Sequence, residues 1–475
     1  MRRAQQPGRC LWFGVALLAC AVLASASATA VEGQDQKTPL SVAPSPFDPW
    51  TKLPDIENAR AVLANSGLQF QLVYFGDLLD NASGGVRQGA TYMGRLGLLV
   101  DADLEKILAW NGAAFHASIH QIHGHGLSGN NLDNLLVVSG IEALPATRLF
   151  NLWIEQKFAD GKISLRAGQL SAQVAPTNEF FVSQYGTLFV NATFGWPAIT
   201  AINLPSGGPT YPLATPGIRL KISPNDQLSI LAAVFNGDPA GPGEGDPQRR
   251  NRTGTSFRVN DPPLFIGEID FAYNQGKAAS GLPGTVKLGG WYHFGQFADQ
   301  RFSVEGLSLA DPLSSGMPAQ DRGNFGIYAI VDQMLWRVPG TGDQGLGIFA
   351  RASVSPSDRN LISTYFDGGG TYKGLFPGRE NDTLGVDFGV ANISSRARAL
   401  DRDAVSFSGI DSPIRNYEAV VEVTYQAQIT SNWMLQPVFQ YIVHPGGHIP
   451  NPINTGGSSA IPNAAVFGLR TMMKY

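Results

Sequence analysis

The sequence predicts an all-β protein: a transmembrane antiparallel β-barrel of sixteen strands with a short N-terminal helix. Three observations carry this. Apolar and polar residues alternate with period two in segment after segment, the signature of a wall with one greasy and one wet face. Past the N-terminus no apolar run reaches the ~18 residues that a spanning helix needs. Charged residues are only 15% of the 475, against roughly 25% in an average soluble protein, while glycines number 55 and aromatics reach 10%. So many aromatic and β-branched residues also argue against disorder.

The first element is a secretory signal peptide over 1–30. Arg2, Arg3 and Arg9 precede the apolar run Leu11 to Leu23, and Ala28-Thr29-Ala30 is a small-x-small cleavage site. A rival lipoprotein reading of Leu17-Leu18-Ala19-Cys20 conflicts with the apolar run, which continues past Cys20. Both cysteines, Cys10 and Cys20, lie in the signal, so a mature chain from about Val31 holds no disulfide and no thiolate metal site. Without the three arginines, 31 basic residues face 38 acidic ones, a net charge of −7 that gives no reason to expect nucleic acid.

Residues 31–67 form an N-terminal periplasmic lead-in. Residues 31–53 are rich in Pro, Ser and Gln. Pro54 to Ser66 has helical spacing (Ile56, Ala59, Leu63), and Gly67 can supply a left-handed stop. This helix reads either as a surface helix or as a plug at the periplasmic mouth.

The barrel occupies 68–475. Leu68, Phe70, Leu72, Tyr74 and Leu78 alternate with Gln69, Gln71 and Asp77. Val286, Leu288, Tyr292 and Phe294 alternate with Lys287, Trp291 and His293. The same pattern gives strands at about 68–79, 89–101, 111–122, 148–158, 162–171, 215–223, 227–236, 264–274, 284–296, 323–336, 345–354, 361–372, 382–393, 414–427, 431–443 and 463–475. A sandwich would bury the apolar face against a second sheet. A membrane barrel turns it to lipid, and closure leaves no open edge. Links mostly alternate between short and long, as periplasmic turns and extracellular loops do, although Ser355–Asn360 and Gly374–Asn381 break the rule locally. An even count places both termini on the periplasmic side. The last strand alternates Phe467, Leu469, Thr471 and Met473 and ends on aromatic Tyr475, the type of C-terminal strand that barrel-assembly machinery recognises.

Several stretches resemble the carbohydrate-selective porin family (the OprB type). They are YFGDLLDNASGG (74–85), FHASIHQIHGHGLS (115–128), LRAGQLSAQ (165–173), DPPLFIGEIDFAYN (261–274), LPGTVKLGGWYHFGQFAD (282–299), GNFGIYAIVDQMLWR (323–337), SPSDRNLIS (355–363) and LQPVFQYIVHPGG (435–447). The resemblance spans nearly the whole mature chain. It implies an outer-membrane barrel of sixteen strands passing monosaccharides and related polyols. Where the family often has arginine in a His-Gly-Arg loop, this chain has His125.

A sugar channel needs a narrowing, polar groups that exchange hydrogen bonds with hydroxyls, and aromatic faces that stack on a pyranose, each contact weak enough to release solute. The alternation places Arg95, Trp153, Glu155 and Arg166 on the lumen side of strands two, four and five. Arg and Glu can each engage vicinal hydroxyls twice. Glu268, Asp270, Trp291, Asp332, Glu418, Glu422 and Gln440 are further inward candidates, or plain wall charges. The connection at about 173–215 carries Phe180, Phe181, Tyr185, Phe189, Phe194 and Trp196. A loop this apolar is expected to fold into the barrel and set the constriction, with Trp196 in it.

His116, His120, His123 and His125 raise a metal site. The first two share one strand face and the others the opposite parity, so lumen-facing polar residues are the better reading and no metal or other cofactor is expected. An enzyme is not expected either: no Gly-x-Ser-x-Gly elbow and no paired-His helix is present. An energised transporter would need a plug far larger than residues 31–67. The expected function is therefore passive, sugar-biased diffusion of monosaccharides and polyols across the bacterial outer membrane, in contact with its lipid. A general or anion-preferring porin is the main alternative, and a closed barrel scaffold a third.

Overall fold

The computed structural model describes residues 54–173, 179–275, 281–454 and 459–475. The signal-peptide reading at 1–30 and the lead-in at 31–53 lie outside the described residues. Sixteen strands form one sheet: β1 (Leu68–Ser83), β2 (Gly89–Asp103), β3 (Ala113–Gly124), β4 (Ala146–Phe158), β5 (Ile163–Leu170), β6 (Thr215–Ile222), β7 (Leu228–Asn236), β8 (Pro263–Tyr273), β9 (Gly284–Ser303), β10 (Pro318–Arg337), β11 (Gly345–Val354), β12 (Ile362–Lys373), β13 (Thr383–Ile393), β14 (Tyr417–Thr430), β15 (Trp433–Val443) and β16 (Ala464–Lys474). Each pairs antiparallel with its chain neighbours, and β1 pairs with β16, which closes the barrel. The seam is fixed by Tyr74↔Met473 and Leu78↔Leu469. Below it, Leu72 and Tyr475 exchange backbone hydrogen bonds of 2.8 and 2.9 Å.

The pleat explains why alternation reads so directly. In β11, buried inward residues such as Phe349 and Arg351 alternate with exposed outward ones such as Ile348 and Val354. Around the barrel the outward positions are large and apolar, for example Leu78, Leu288 and Ile327 at 51%, 61% and 59% exposure. So continuous an apolar exterior is costly in water and at home in lipid.

The structure extends the sequence reading in one region. β9 and β10 run well past the expected 296 and 323, with Asp321 opposite Phe297 and Pro318 opposite Ser303. There the strands have left the apolar layer, so polarity no longer alternates while the backbone ladder continues. A helix that sequence analysis did not anticipate supports this hairpin. We call it α2 (Ser395–Ser408), and α1 (Pro54–Asn65) the helix that precedes the barrel. Ser394 caps α2 by accepting the Ala397 N–H, and left-handed Gly409 ends it. Asp403 takes both a 2.7 Å bond from Arg301 and one of 2.7 Å from Ser308, and Arg396 lies 4.6 Å over the Phe302 ring. Asp403→Ala is expected to release α2 at a cost of about 1–2 kcal/mol. Limited proteolysis of whole cells should then cut within 395–408, with the barrel's gel-shift temperature unchanged.

α1 sits at the rim where β1 begins and β16 ends, and Arg60 stacks 4.8 Å over the Tyr475 ring. Its residues Asn58 to Leu63 are exposed.

The apolar core lies inside the barrel and not between layers. Two connections fill it. The β3–β4 connection contributes Leu127, Leu132, Leu136, Val138 and Ile141 against wall residues Leu79, Val420, Ile442 and Val466. The β5–β6 connection adds Phe189, Phe194 and Ile199 to that cluster, and Phe180, Phe181, Trp196 and Leu204 to a second one on β7–β10.

Candidate pore constriction

Lumen-facing carboxylates hold these two connections in place, and they do so through backbone amides. Glu418 on β14 accepts from Leu135, Leu136 and Gly446 N–H at 2.8, 2.6 and 2.7 Å. Two inward positions further along, past Val420, Glu422 accepts from Val190 and Asn191 N–H at 2.7 and 2.8 Å. Gln440 on β15 links the two segments: it donates to Val138 O at 2.8 Å and accepts from Asn191 Nδ2 at 3.0 Å. On β10, Asp332 takes Ser183 Oγ at 2.5 Å and Gln184 N–H at 3.2 Å. Asp77 on β1 accepts from Ser139 Oγ at 2.6 Å and from Arg470 at 2.8 and 2.7 Å. A carboxylate aimed at two or more N–H groups makes charge-assisted bonds, each stronger than a neutral one.

The cationic partner of this arrangement is Arg351 on β11. Its guanidinium donates to Phe181 O at 2.7 Å and Thr193 O at 2.8 Å, and it is ion-paired with Asp367 on β12. Tyr365 donates to Asp367 at 2.8 Å and accepts from Thr193 Oγ1 at 2.8 Å. Strand acids and one strand arginine therefore grip loop N–H and C=O groups from several strands of the wall.

The expected site residues fall into three groups. Glu155, Arg166 and Arg219 stand side by side on β4, β5 and β6. Glu179 comes down from the β5–β6 connection to join them. Arg219 lies 2.9 Å from Glu155 and 2.6 Å from Glu179, and Arg166 lies 3.4 and 3.5 Å from the same two acids. Ser164 bridges, donating to Glu155 at 2.5 Å and accepting from Arg219 at 2.6 Å. Trp153 stacks beneath, its ring 4.0 Å from the Arg166 guanidinium carbon and 4.9 Å from the His116 ring. The network is electrically balanced, two cations against two anions.

Arg95 forms the second group, apart from the first. It is half-buried between the rings of Phe75 and Tyr211, at 4.7 and 5.1 Å. Trp196, Trp291 and Glu268 make the third. Both tryptophans are about 5% exposed and belong to the apolar cluster on β7–β10. Trp196 packs edge-on to Phe181 at 4.9 Å and donates to Gly207 O at 3.1 Å. Glu268 is consumed by Phe181 N–H at 3.0 Å and Tyr328 OH at 2.6 Å. These three are buried in the seat of the loop. Aromatic residues in an inward loop serve packing and stacking equally well by sequence, and only the fold separates the two roles.

Below the β5–β6 connection lies a cavity of about 380 Å³ lined by Gln184, Thr187, Gln227, Asp270, Lys287 and Asp332, among others. Lys287 balances Asp270 and Glu268 there at 3.8 and 3.7 Å.

The histidines divide between faces. His116 is inward and 2.7 Å from Asp101, and His120 stacks on Phe150 at 4.8 Å. His123 is 3.3 Å from the Tyr74 hydroxyl, among outward aromatics. Among the described residues no group of three or more His, Cys, Asp or Glu is placed to hold a metal.

Sequence reasoning missed Phe75, Glu179, Tyr211, Arg219 and the whole inward β3–β4 connection. Signals existed. Phe75 and Arg219 sit on the lumen parity of their strands. The run Leu135-Leu136-Val137-Val138 is as apolar as the loop that was singled out. Glu179 and Tyr211 had no signal, because a loop has no period.

Comparisons with known proteins agree with this architecture. A family model described as "Carbohydrate-selective porin, OprB family" matches residues 87–475. Porin B of Pseudomonas aeruginosa is 24% identical over 420 residues, covering 85% of this chain and 88% of the relative. The high-pH structure of OprB from Pseudomonas putida superposes with a TM-score of 0.75 at 22% identity, covering 89% of this chain and 97% of that one. The low-pH structure of the same protein gives 0.53 at 18% identity, covering 89% and 98%. At these identities the structures speak to the fold alone.

Proposed function

The chain belongs to the carbohydrate-selective porin, OprB family, sugar-selective channels of the bacterial outer membrane, and we propose that monosaccharides and small polyols are its solutes. They diffuse down their gradient past Arg95, Trp153, Glu155 and Arg166, with Phe75, Tyr211, Arg219 and Glu179 completing the narrowing. One observation carries this reading: the balanced Glu155, Glu179, Arg166, Arg219 network beside Trp153. Paired charges present dense donors and acceptors without a net field. Hydroxyls can exchange hydrogen bonds with them, while neither cations nor anions are favoured. Such exchange is cheap because each guanidinium and carboxylate keeps one partner while lending another. No chemistry is performed, so no cofactor is needed.

Two partners follow from the exterior. The outward apolar band faces outer-membrane lipid. The β16 strand, ending on Tyr475, is the element that barrel-assembly machinery would read.

Liposome swelling with the purified barrel tests the reading. Glucose should enter faster than amino acids of similar size and faster than disaccharides. Arg95→Ala and Trp153→Ala should each blunt that preference severalfold. Swelling that follows solute size alone, in wild type and variants alike, would refute a sugar-biased constriction at these residues.

A further inference from the structure

We propose that the β2–β4 wall carries a subsite for the carboxylate of a sugar acid, so that monosaccharides bearing a carboxylate are also solutes of this channel. The inference rests on the sugar-channel reading above and adds a charge class to it.

The starting point is Arg148. It lies on the inward face of β4 and is 1% exposed, yet its Nε, Nη1 and Nη2 have no hydrogen-bond partner. A guanidinium carries five N–H donors and cannot shed its proton in a protein. Burying one without acceptors is among the costliest arrangements a fold can keep. Four other lumen arginines have carboxylate partners. Arg351 has Asp367, Arg470 has Asp77, and Arg166 and Arg219 share Glu155 and Glu179.

Arg148 does not stand alone. The register places it directly across from His120 on β3, and His120 across from Gly97 on β2, two residues from Arg95. Arg95 and Arg148 are thus two strands apart on one wall and offset by two residues along it, about 12 Å at the ordinary strand spacing and rise. Among the described residues Arg95 has no carboxylate partner either, and its neighbours are the Phe75 and Tyr211 rings. The acids that could have balanced this wall are engaged. Asp77 is held by Arg470 and Ser139, and Asp246 caps the Gln248 N–H at 2.7 Å.

The outcome is a lumen wall with two guanidiniums that have no ion-paired carboxylate, one half-buried and facing the lumen, the other buried behind it. Beside them lie two aromatic faces, Phe75 and Tyr211. A ring that stacks on an aromatic and projects a carboxylate meets both features at once. Arginine binds a carboxylate through parallel N–H bonds, which fixes orientation as well as adding attraction. The balanced network across β4–β6 then takes the hydroxyls, as it does for a neutral sugar.

Single-channel current through the full barrel tests this, with three ring-shaped probes. Galacturonate has the ring, the hydroxyls and the carboxylate. Galactose lacks the charge, and cyclohexanecarboxylate lacks the hydroxyls. In ~0.1 M KCl, galacturonate should interrupt the current at about one-tenth the concentration that galactose requires, and the gap should shrink in ~1 M KCl as screening grows. Arg95→Gln and Arg148→Gln should each close most of the gap. The first of these changes a half-buried lumen residue, so it keeps the test decisive if the second does not assemble. Galacturonate no better than galactose would overturn the proposal. Equal block by cyclohexanecarboxylate would overturn it too, leaving a general anion preference. If galactose and glucose neither block nor permeate while galacturonate does, the neutral-sugar reading fails and the subsite stands.

Discussion

Arg351→Ala is expected to detach the β5–β6 connection from the barrel wall and to cost about 3–5 kcal/mol of local stability. The change removes one side chain but strands four groups. Asp367 keeps its charge at 0% side-chain exposure with only Tyr365 left to donate to it. Phe181 O, Thr193 O and Phe194 O lose the donor that reaches them at 2.7, 2.8 and 3.3 Å. Breaking a buried pair from one side is far worse than replacing both sides. One further variant separates the ion pair from the loop contacts. Asp367→Leu combined with Arg351→Met should restore the barrel's gel-shift temperature, since an apolar pair of similar volume tolerates burial. It should not restore the loop, whose carbonyls still lack donors. The readouts are protease cleavage within 171–214 and single-channel conductance. We expect cleavage and a wider, noisier channel in both variants, with thermal loss only in Arg351→Ala. A loop that stays protected in Arg351→Ala would show that the apolar clusters alone hold it.

The barrel is written in the sequence because lipid imposes one rule on every outward residue. β11 and β13 can be read to within a residue, since their outward positions are apolar almost throughout while Arg351, Ser353 and Asp387 mark the inward face. The lumen obeys no such rule. Glu418 and Glu422 are legible as inward charges by parity, yet their partners are backbone N–H groups, which every residue possesses. Glu422 meets Val190 across 232 positions of chain. Nothing in the sequence of either segment marks that pairing. The same holds for Glu179, which comes from a loop to share Arg166 and Arg219 with a strand acid. Trp196 and Trp291 illustrate a different failure. Their inward placement follows from the sequence, but the clusters that bury them are assembled from β7–β10 and the loop together. A site made of paired wall charges can be half inferred from strands. The half supplied by connections cannot.

That asymmetry directs the last prediction to the carboxylates. Glu418→Gln and Glu422→Gln keep the size of the side chain and remove its charge. Glu418 faces three N–H donors and Glu422 two, with Gln440 Nε2 a further donor to Glu422 at 3.0 Å. An amide offers one acceptor oxygen and turns its NH₂ towards a donor. Loss of a charge-assisted bond with a donor left unpaired costs about 1.5–3 kcal/mol. At ~2.8 kcal/mol the open-loop population rises roughly a hundredfold. A channel that opened its loop rarely should then show frequent excursions to a larger conductance, with the sugar preference lost during them. The two variants act on different segments, Glu418 on the β3–β4 connection and Glu422 on the β5–β6 connection. Those segments touch, because Asn191 Nδ2 donates to Leu136 O at 3.1 Å and Gln440 holds both. Groups that share a network are not additive. Freeing either segment removes support from the other, so the double variant should open little more than the worse single one. Additive opening would mean that the two connections are anchored independently, and unchanged gating in either single variant would mean that packing and not the carboxylates sets the width of the channel.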